Sequence, residues 1–183
     1  AVVVSPATLE AGLRDAYGGT VARIVADLPG ADIDDDTDAL ERAASAAPLV
    51  RLVDELLHDA ASRGASDVHI EAVGGEVRVR LRIDGVLTSA HQLPSGVHAA
   101  LVSRLKILAG MDIAIRRRPQ DGGFVLPCRP TAVPLRMSTL PAGDSEKVVL
   151  RLLDPGRVPG GLSDLGMAPR DEERVRGVIA AGR

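Results

Sequence analysis

Residues 64–87 read GASDVHIEAVGGEVRVRLRIDGVL, and this stretch decides the fold class. From Glu76 to Ile83 the pattern alternates strictly: Val77, Val79, Leu81 and Ile83 fall on one face, Glu76, Arg78, Arg80 and Arg82 on the other. That is the two-residue period of a half-buried β-strand. Gly74-Gly75 ahead of it is a hairpin signal, because both central residues of a tight two-residue turn need positive φ. Ser66 to Ala72, with Val68 and Ile70 on one side, is therefore expected to pair antiparallel with it. Asp84-Gly85 makes a second tight turn into Val86-Leu87.

Working outward, Leu49, Leu52, Val53, Leu56, Leu57 and Ala60 follow helical spacing after Pro48, with Gly64 as the stop. Ser95 reads as the cap of a second helix, with Leu101, Val102, Leu105, Leu108 and Ala109 as its stripe and Gly110 as its end. Arg116 to Gly123 is expected as an irregular basic loop. Short strands are expected at Phe124–Leu126, Val133–Ser138 and Val148–Leu152, then a connection over Leu162–Met167 and a last helix from Arg170 to Ala181. Helix, hairpin, helix and further strands imply an α+β fold, a mainly antiparallel sheet covered by helices. At the other end, Val2-Val3-Val4 and the Ser5-Pro6 helix start give one strand and one helix to about Tyr17, too little to bury its own core. Residues 1–48 hold nine acids and three arginines; the acid-rich run from Asp32 to Asp38, without apolar periodicity, reads as a solvated linker.

The chain has 183 residues, 22 basic and 25 acidic, a formal charge of −3. Tyr17 and Phe124 are its only aromatic residues, which excludes nucleic-acid modules built on stacking platforms and most sugar-stacking sites. With the net charge, this disfavours a nucleic-acid binder. One cysteine, Cys128, forms no internal disulfide. No run of 18 apolar residues and no signal-peptide pattern is present, so a cytoplasmic chain without direct membrane insertion is expected.

Three enzyme signatures fail. His69-Ile70-Glu71 and Pro127-Cys128 echo half of a zinc deaminase, but Cys128 is followed by Arg129, Pro130 and Thr131, so the second thiolate of P-C-x-x-C is absent. No G-x-S-x-G elbow supports a nucleophilic triad from Ser66, Ser138 or Cys128 with His58, His69, His91 or His98. Neither G-x-x-x-x-G-K-S/T nor G-x-G-x-x-G occurs, so the sequence contains no Walker A loop to cradle a triphosphate. The arginines remain. Arg78, Arg80 and Arg82 read as a solvated sheet face; Arg116-Arg117-Arg118 before Pro119 suits recognition of phosphate or carboxylate. Arg136 and Arg151 sit within β-patterned segments, where an inward-leaning arginine is expected to have a partner.

Read in order, several segments resemble the ATPases of type II secretion and type IV pilus assembly. They are Gly64-Ala65-Ser66-Asp67-Val68-His69-Ile70-Glu71; Arg78 through Ile83-Asp84-Gly85-Val86-Leu87; Leu101-Val102-Ser103-Arg104-Leu105-Lys106; Met111-Asp112-Ile113-Ala114; Arg117-Arg118-Pro119-Gln120-Asp121-Gly122; Arg136-Met137-Ser138-Thr139-Leu140-Pro141; Glu146 through Asp154; and Asp164-Leu165-Gly166-Met167. Their common order across residues 48–167 makes the resemblance specific.

The resemblance implies that 48–158 is the PAS-like second N-terminal domain of such an ATPase. It makes 1–19 the end of a preceding small domain, 20–47 a linker, and 159–183 the connection to a catalytic domain whose Walker A strand would follow shortly. This portion would not hydrolyse ATP alone and would require no cofactor; the parent would use ATP and Mg. It would work as a homo-hexamer at the inner face of the cytoplasmic membrane, with the cytoplasmic domains of inner-membrane secretion or pilus platform proteins. Arg136, Arg151, Arg117 and Arg104 are the candidates to contact phosphate. Asp67, His69, Asp84, Gly85, Gln120, Asp121, Gly122 and Glu146 are the matching motif positions. The alternative is a free-standing PAS-like module binding a small anionic ligand or a protein partner. The sequence departs from the family at Ile115, where Glu is common, at Gly123, where Arg is common, and at Ser145, where Gly is usual; Pro127-Cys128-Arg129-Pro130 also departs.

Overall fold

The computed structural model describes residues 37–128, 131–153 and 161–182, with Val21, Arg23 and Ile24. Helices α1 (Thr37–Ala44) and α2 (Ala47–Ser62) lead into strands β1 (Asp67–Val73), β2 (Glu76–Ile83) and β3 (Val86–Pro94). Helix α3 (His98–Leu108) then crosses to β4 (Gln120–Leu126), β5 (Val133–Ala142) and β6 (Ser145–Leu152). The six strands form one sheet in the order β3-β2-β1-β6-β5-β4, every neighbour antiparallel. Two three-stranded meanders are thus joined where β6 lies against β1. The expected α+β class with an antiparallel sheet is what the chain forms.

One sheet face carries the core. Val68 and Ile70 of β1, Val77, Val79 and Leu81 of β2, Leu135 and Met137 of β5, and Val148 and Leu150 of β6 are buried in one cluster with Leu49, Leu52, Val53, Leu56 and Leu57 of α2 and Leu101, Val102 and Leu105 of α3. A core with Phe124 as the one partly buried ring among the described residues is filled by branched aliphatic side chains at high packing density, each worth about 1.5–3 kcal/mol on full burial. The other face carries the polar half of the β2 alternation, with His69, Ser138 and Asp121 and also the apolar Val149, Val125 and Leu140.

The punctuation read from sequence holds. Gly74 and Gly75 have φ of 63° and 85°, Asp84 and Gly85 of 49° and 81°, and the registers Val73↔Glu76 and Ile83↔Val86 make both loops two residues long. Both helix stops are double-bonded caps. Ala65 N–H donates to Ala60 O and Gly64 N–H to Ala61 O; Met111 N–H donates to Lys106 O and Gly110 N–H to Ile107 O.

Four expectations need correction. Within the stretch read as linker, Thr37–Ala44 is a helix whose Leu40 and Ala44 are fully buried. The acidic run ends at Asp38, in the first turn, where a carboxylate favours the helix dipole, and the i, i+4 pair after it supplies the apolar stripe. The rest of the linker up to residue 36 and the strand and helix expected over 1–19 lie outside the described residues, apart from Val21, buried in the core cluster, Arg23 and Ile24. Ser95 does not cap α3: a 3₁₀ turn, Ser95–Val97, comes first, and no side chain caps it. β4 begins at Gln120, inside the expected loop, because Gly122 and Gly123 serve close approach, not turning. A Cβ on Gly122 would stand 2.4 Å from Ala109 O and one on Gly123 2.7 Å from Leu135 O. Finally, β3 runs on to Pro94, past a bulge opposite Val79-Arg80.

A second compact unit begins at residue 154. It contains a 3₁₀ turn, Leu162–Leu165, closed by Gly166 at φ 73°, and helix α4 (Pro169–Ala181). Pro169 at the helix start, Asp171 and Glu172 in its first turn and a 2.6 Å Glu172–Arg176 ion pair make it a well-signalled surface helix. No helix of the described residues is long and apolar enough to cross a membrane.

Candidate functional site

Strand register lays a row of side chains straight across the face opposite the one packed against α2 and α3: Arg82 (β2), Asp67 (β1), Arg151 (β6), Arg136 (β5), Gly123 (β4). Arg136 and Arg151 therefore do not lean inward as expected. Both are exposed, Arg151 by 68% of its side chain, because their neighbours Leu135, Met137, Leu150 and Leu152 take the core side. Directly opposite on adjacent strands, their Cβ atoms stand about 5 Å apart.

The two arginines are not equally neutralised. Arg151 Nε donates to Asp67 Oδ1 at 3.1 Å, and Arg82 Nε lies 3.5 Å from Asp67 Oδ2, which also accepts from Ser66 Oγ at 2.8 Å. Burial pushes the Asp67 carboxyl up, but the Ser66 and Arg151 hydrogen bonds and the Arg151 charge outweigh it and hold its pKa below the ordinary value. Arg136, beside them, makes no hydrogen bond or ion pair among the described residues. Its strand neighbour on the other side is Gly123, which has no side chain to pair with it. An uncompensated guanidinium next to a second one is unfavourable alone and favourable with an anion between them.

The next row carries Arg80, His69, Val149, Ser138 and Asp121. Arg80 and Lys147 both pair with Glu71 at 2.5 Å, and Ser138 Oγ donates to Asp121 Oδ1 at 2.5 Å. Glu71's carboxyl is held low: burial opposes this, but Lys147 and Arg80 prevail. Neither ring nitrogen of His69 has a partner. Burial first, and the Lys147 charge next, lower its pKa and keep it neutral. The arginines of β2 are thus mostly paired, as a solvated, ion-paired face requires.

The other motif positions build the scaffold. Asp84 and Gly85 form the β2–β3 turn. Glu146, 7% exposed, faces the core and pairs at 2.7 Å with Lys106, 1% exposed, whose Nζ also donates to Ile115 O at 2.6 Å. Gln120 Nε2 donates to the same Ile115 carbonyl and to Asp112 O, both at 2.9 Å, while its Oε1 accepts from Asp112 N–H. The arginine loop is therefore clamped at one carbonyl. Sequence reasoning did not single out Lys106; the signal available was its rarity, since only Lys106 and Lys147 break the run of arginines. His91 was also missed in this respect: its Nε2 lies 3.0 Å from Asp59 Oδ2 and ties β3 to α2.

The four candidate arginines are not brought together. Arg117 lines a cleft with Pro141 and the β5–β6 turn, about 17 Å along β5 from Arg136. Arg104 lies half-buried on α3, its Nε without a partner. Among the described residues no three His, Cys, Asp or Glu side chains cluster to hold a metal. His69 sits on the charged face, whereas Cys128 packs against the core.

Comparison with known proteins agrees with the segments quoted from the sequence. A family model described as type II/IV secretion system protein matches residues 42–183. Type II secretion system protein E of Klebsiella pneumoniae is 43% identical over 145 residues, 79% of this chain and 29% of that protein. Type II secretion system protein HxcR of Pseudomonas aeruginosa is 44% identical over 138 residues, 75% of this chain and 29% of its own. Type II secretion system ATPase E of Vibrio cholerae is 35% identical over 190 residues, 97% of this chain and 38% of that protein. The chain thus spans about a third of the length of these relatives. Because the matched region takes in every strand of the sheet and the motif positions along it, the chain belongs to the type II/IV secretion system protein family.

Proposed function

We propose that this chain is the PAS-like, ring-forming N-terminal region of a hexameric secretion or pilus-assembly ATPase. In this reading, Arg136 and Arg151 contact the phosphates of ATP, with Mg, held by a P-loop domain of the full-length protein. The observation that carries it is the cross-strand arginine pair on the open sheet face, in which Arg136 has no acidic partner among the described residues. The family, and the absence of a Walker A loop from the sequence, support a role of assisting a nucleotide held elsewhere.

Positioned guanidinium groups stabilise charge on a transferring phosphoryl group, by about 10³–10⁵ in rate where an arginine is donated to a GTPase. Arg151, oriented by Asp67, would be the fixed member and Arg136 the one that closes on the anion. The rigid sheet would move as a body and carry both, coupling hydrolysis to domain motion at the inner face of the cytoplasmic membrane, where platform proteins would receive it. Arg117 and Arg104 stand apart from this pair and are secondary candidates.

The test is ATP turnover of the full-length protein with Arg136→Ala and Arg151→Ala. Each is expected to lower kcat by at least about tenfold, or about 1.4 kcal/mol in barrier, with assembly unchanged by light scattering. Normal turnover in both variants overturns the assignment.

A further inference from the structure

A cleft of about 590 Å³ opens between α1, the N-terminal half of α3, the arginine loop and the β5–β6 turn. Small-molecule sites commonly have volumes of ~300–1,000 Å³. Its wall is unusual in its chemistry. Leu40, Val102 and Pro141 supply apolar surface, but Ser103 and His98, 5% and 8% exposed, are also part of it. The Ser103 hydroxyl makes no side-chain hydrogen bond among the described residues, and the buried His98 Nε2 has no partner. A buried imidazole nitrogen without a partner costs roughly 1–3 kcal/mol relative to a satisfied state. Such groups persist where something outside the protein completes them.

The charge around the wall selects the ligand. Arg117 is exposed at the rim and makes no ion pair among the described residues, and Arg116 lies beside it. His98 and Ala99, also in the wall, open helix α3, whose N-terminal end carries positive partial charge, while the His98 N–H itself donates to Ser95 O of the preceding 3₁₀ turn. Glu146 contributes little negative charge, because Lys106 holds it at 2.7 Å. Asp144, at the turn on the far side, leaves one place for a hydroxyl or amine donor. The Lys106 and Gln120 bonds to Ile115 O fix the loop that carries Arg116 and Arg117, so the rim is preorganised.

We propose that this cleft is a binding site for a small organic phosphate, separate from the Arg136–Arg151 pair. The phosphate lies between Arg117 and the start of α3, hydrogen-bonded to Ser103, and a hydroxyl-bearing body rests on Leu40, Val102 and Pro141 near Asp144. An inorganic ion alone would leave most of the volume empty, which favours an ester.

The experiment titrates the ¹⁵N-labelled chain with inorganic phosphate, pyrophosphate and ribose 5-phosphate, following backbone amide shifts. Expected is saturable binding of ribose 5-phosphate with Kd below about 1 mM, shifts at Ser103, Arg117 and Gly143 to Ser145, and weaker binding of inorganic phosphate. Arg117→Ala and Ser103→Ala, which remove no side-chain hydrogen bond or ion pair among the described residues, should each weaken binding by about tenfold (~1.4 kcal/mol); Arg136→Ala should leave it unchanged. No saturable shift with any of the three probes overturns the proposal. So does binding that survives both cleft variants, or binding lost with Arg136→Ala, which would place the anion on the sheet face. Loss of ATP turnover in Arg136→Ala together with intact binding here keeps the two sites distinguishable.

Discussion

Replacing Lys106 with methionine is the sharpest test of how the arginine loop is held. Met keeps the length and most of the volume, so packing between α3 and β6 is preserved while the charge is removed. What remains is Glu146, 7% exposed, without its Lys106 partner, and an Ile115 carbonyl that keeps the Gln120 bond. At 2.7 Å the pair's Coulomb attraction is about 6 kcal/mol at an effective dielectric near 20, opposed by the cost of desolvating both charges. Removing one partner leaves the second charge buried without compensation, a loss of about 3–5 kcal/mol. For a chain of this size that corresponds to a melting point lower by about 6–20 °C. Lys106→Met with Glu146→Gln should recover most of the loss, since neither charge is then stranded, giving a coupling of at least about 1 kcal/mol in a double-mutant cycle. The assay is urea unfolding followed by far-UV circular dichroism, because the chain has no Trp and its single Tyr17 lies outside the described residues. A Lys106→Met loss below about 1 kcal/mol, or additive single and double variants, would refute the reasoning.

Two further outcomes concern the fold. His69 and His98 have pKa values depressed chiefly by burial, and Asp59, Asp67 and Glu71 have carboxyls held low by their partners against burial. In every case the unfolded chain binds more protons, so stability should fall on acidification, first below about pH 6.5 through the histidines and again below about pH 4 through the carboxylates. Urea midpoints measured across pH check this, and His69→Gln should flatten the upper step; a midpoint that rises from pH 6.5 to 5 contradicts it. Gly122→Ala should cost about 2 kcal/mol or more, because its Cβ would stand 2.4 Å from a backbone oxygen and 3.1 Å from Met111 Cε, whereas the same change at an exposed helix glycine with open space, Gly177, should be neutral or stabilising. Equal effects at the two positions would show that β4 shifts freely.

The parts of the fold that were legible were those with local causes. Two-residue alternation in Glu76–Ile83, paired positive-φ turns and glycine helix stops each depend on a few adjacent residues, and each stands where it was read. Thr37–Ala44 was hidden because the charge of Asp32–Asp38 outweighs two apolar positions until α3 is present to cover them. Gln120–Gly123 was hidden because its glycines resemble a turn until Ala109 O and Leu135 O are seen pressing on them.

The candidate site divides the same way. By itself the sequence determined an antiparallel α+β domain, the residue types able to meet an anion, and, through the order of its motifs, the family. It could not decide which arginines meet. That is fixed by register, because placing β6 between β1 and β5 aligns Arg151 with Asp67 on one side and Arg136 on the other, residues far apart in the chain. Nor could it separate Glu146 and Lys106, 40 residues apart, from surface charges, since only tertiary burial turns them into a pair. Local pattern sets which way a strand's side chains alternate; long-range pairing sets which of them stand together, and no local interaction carries that information.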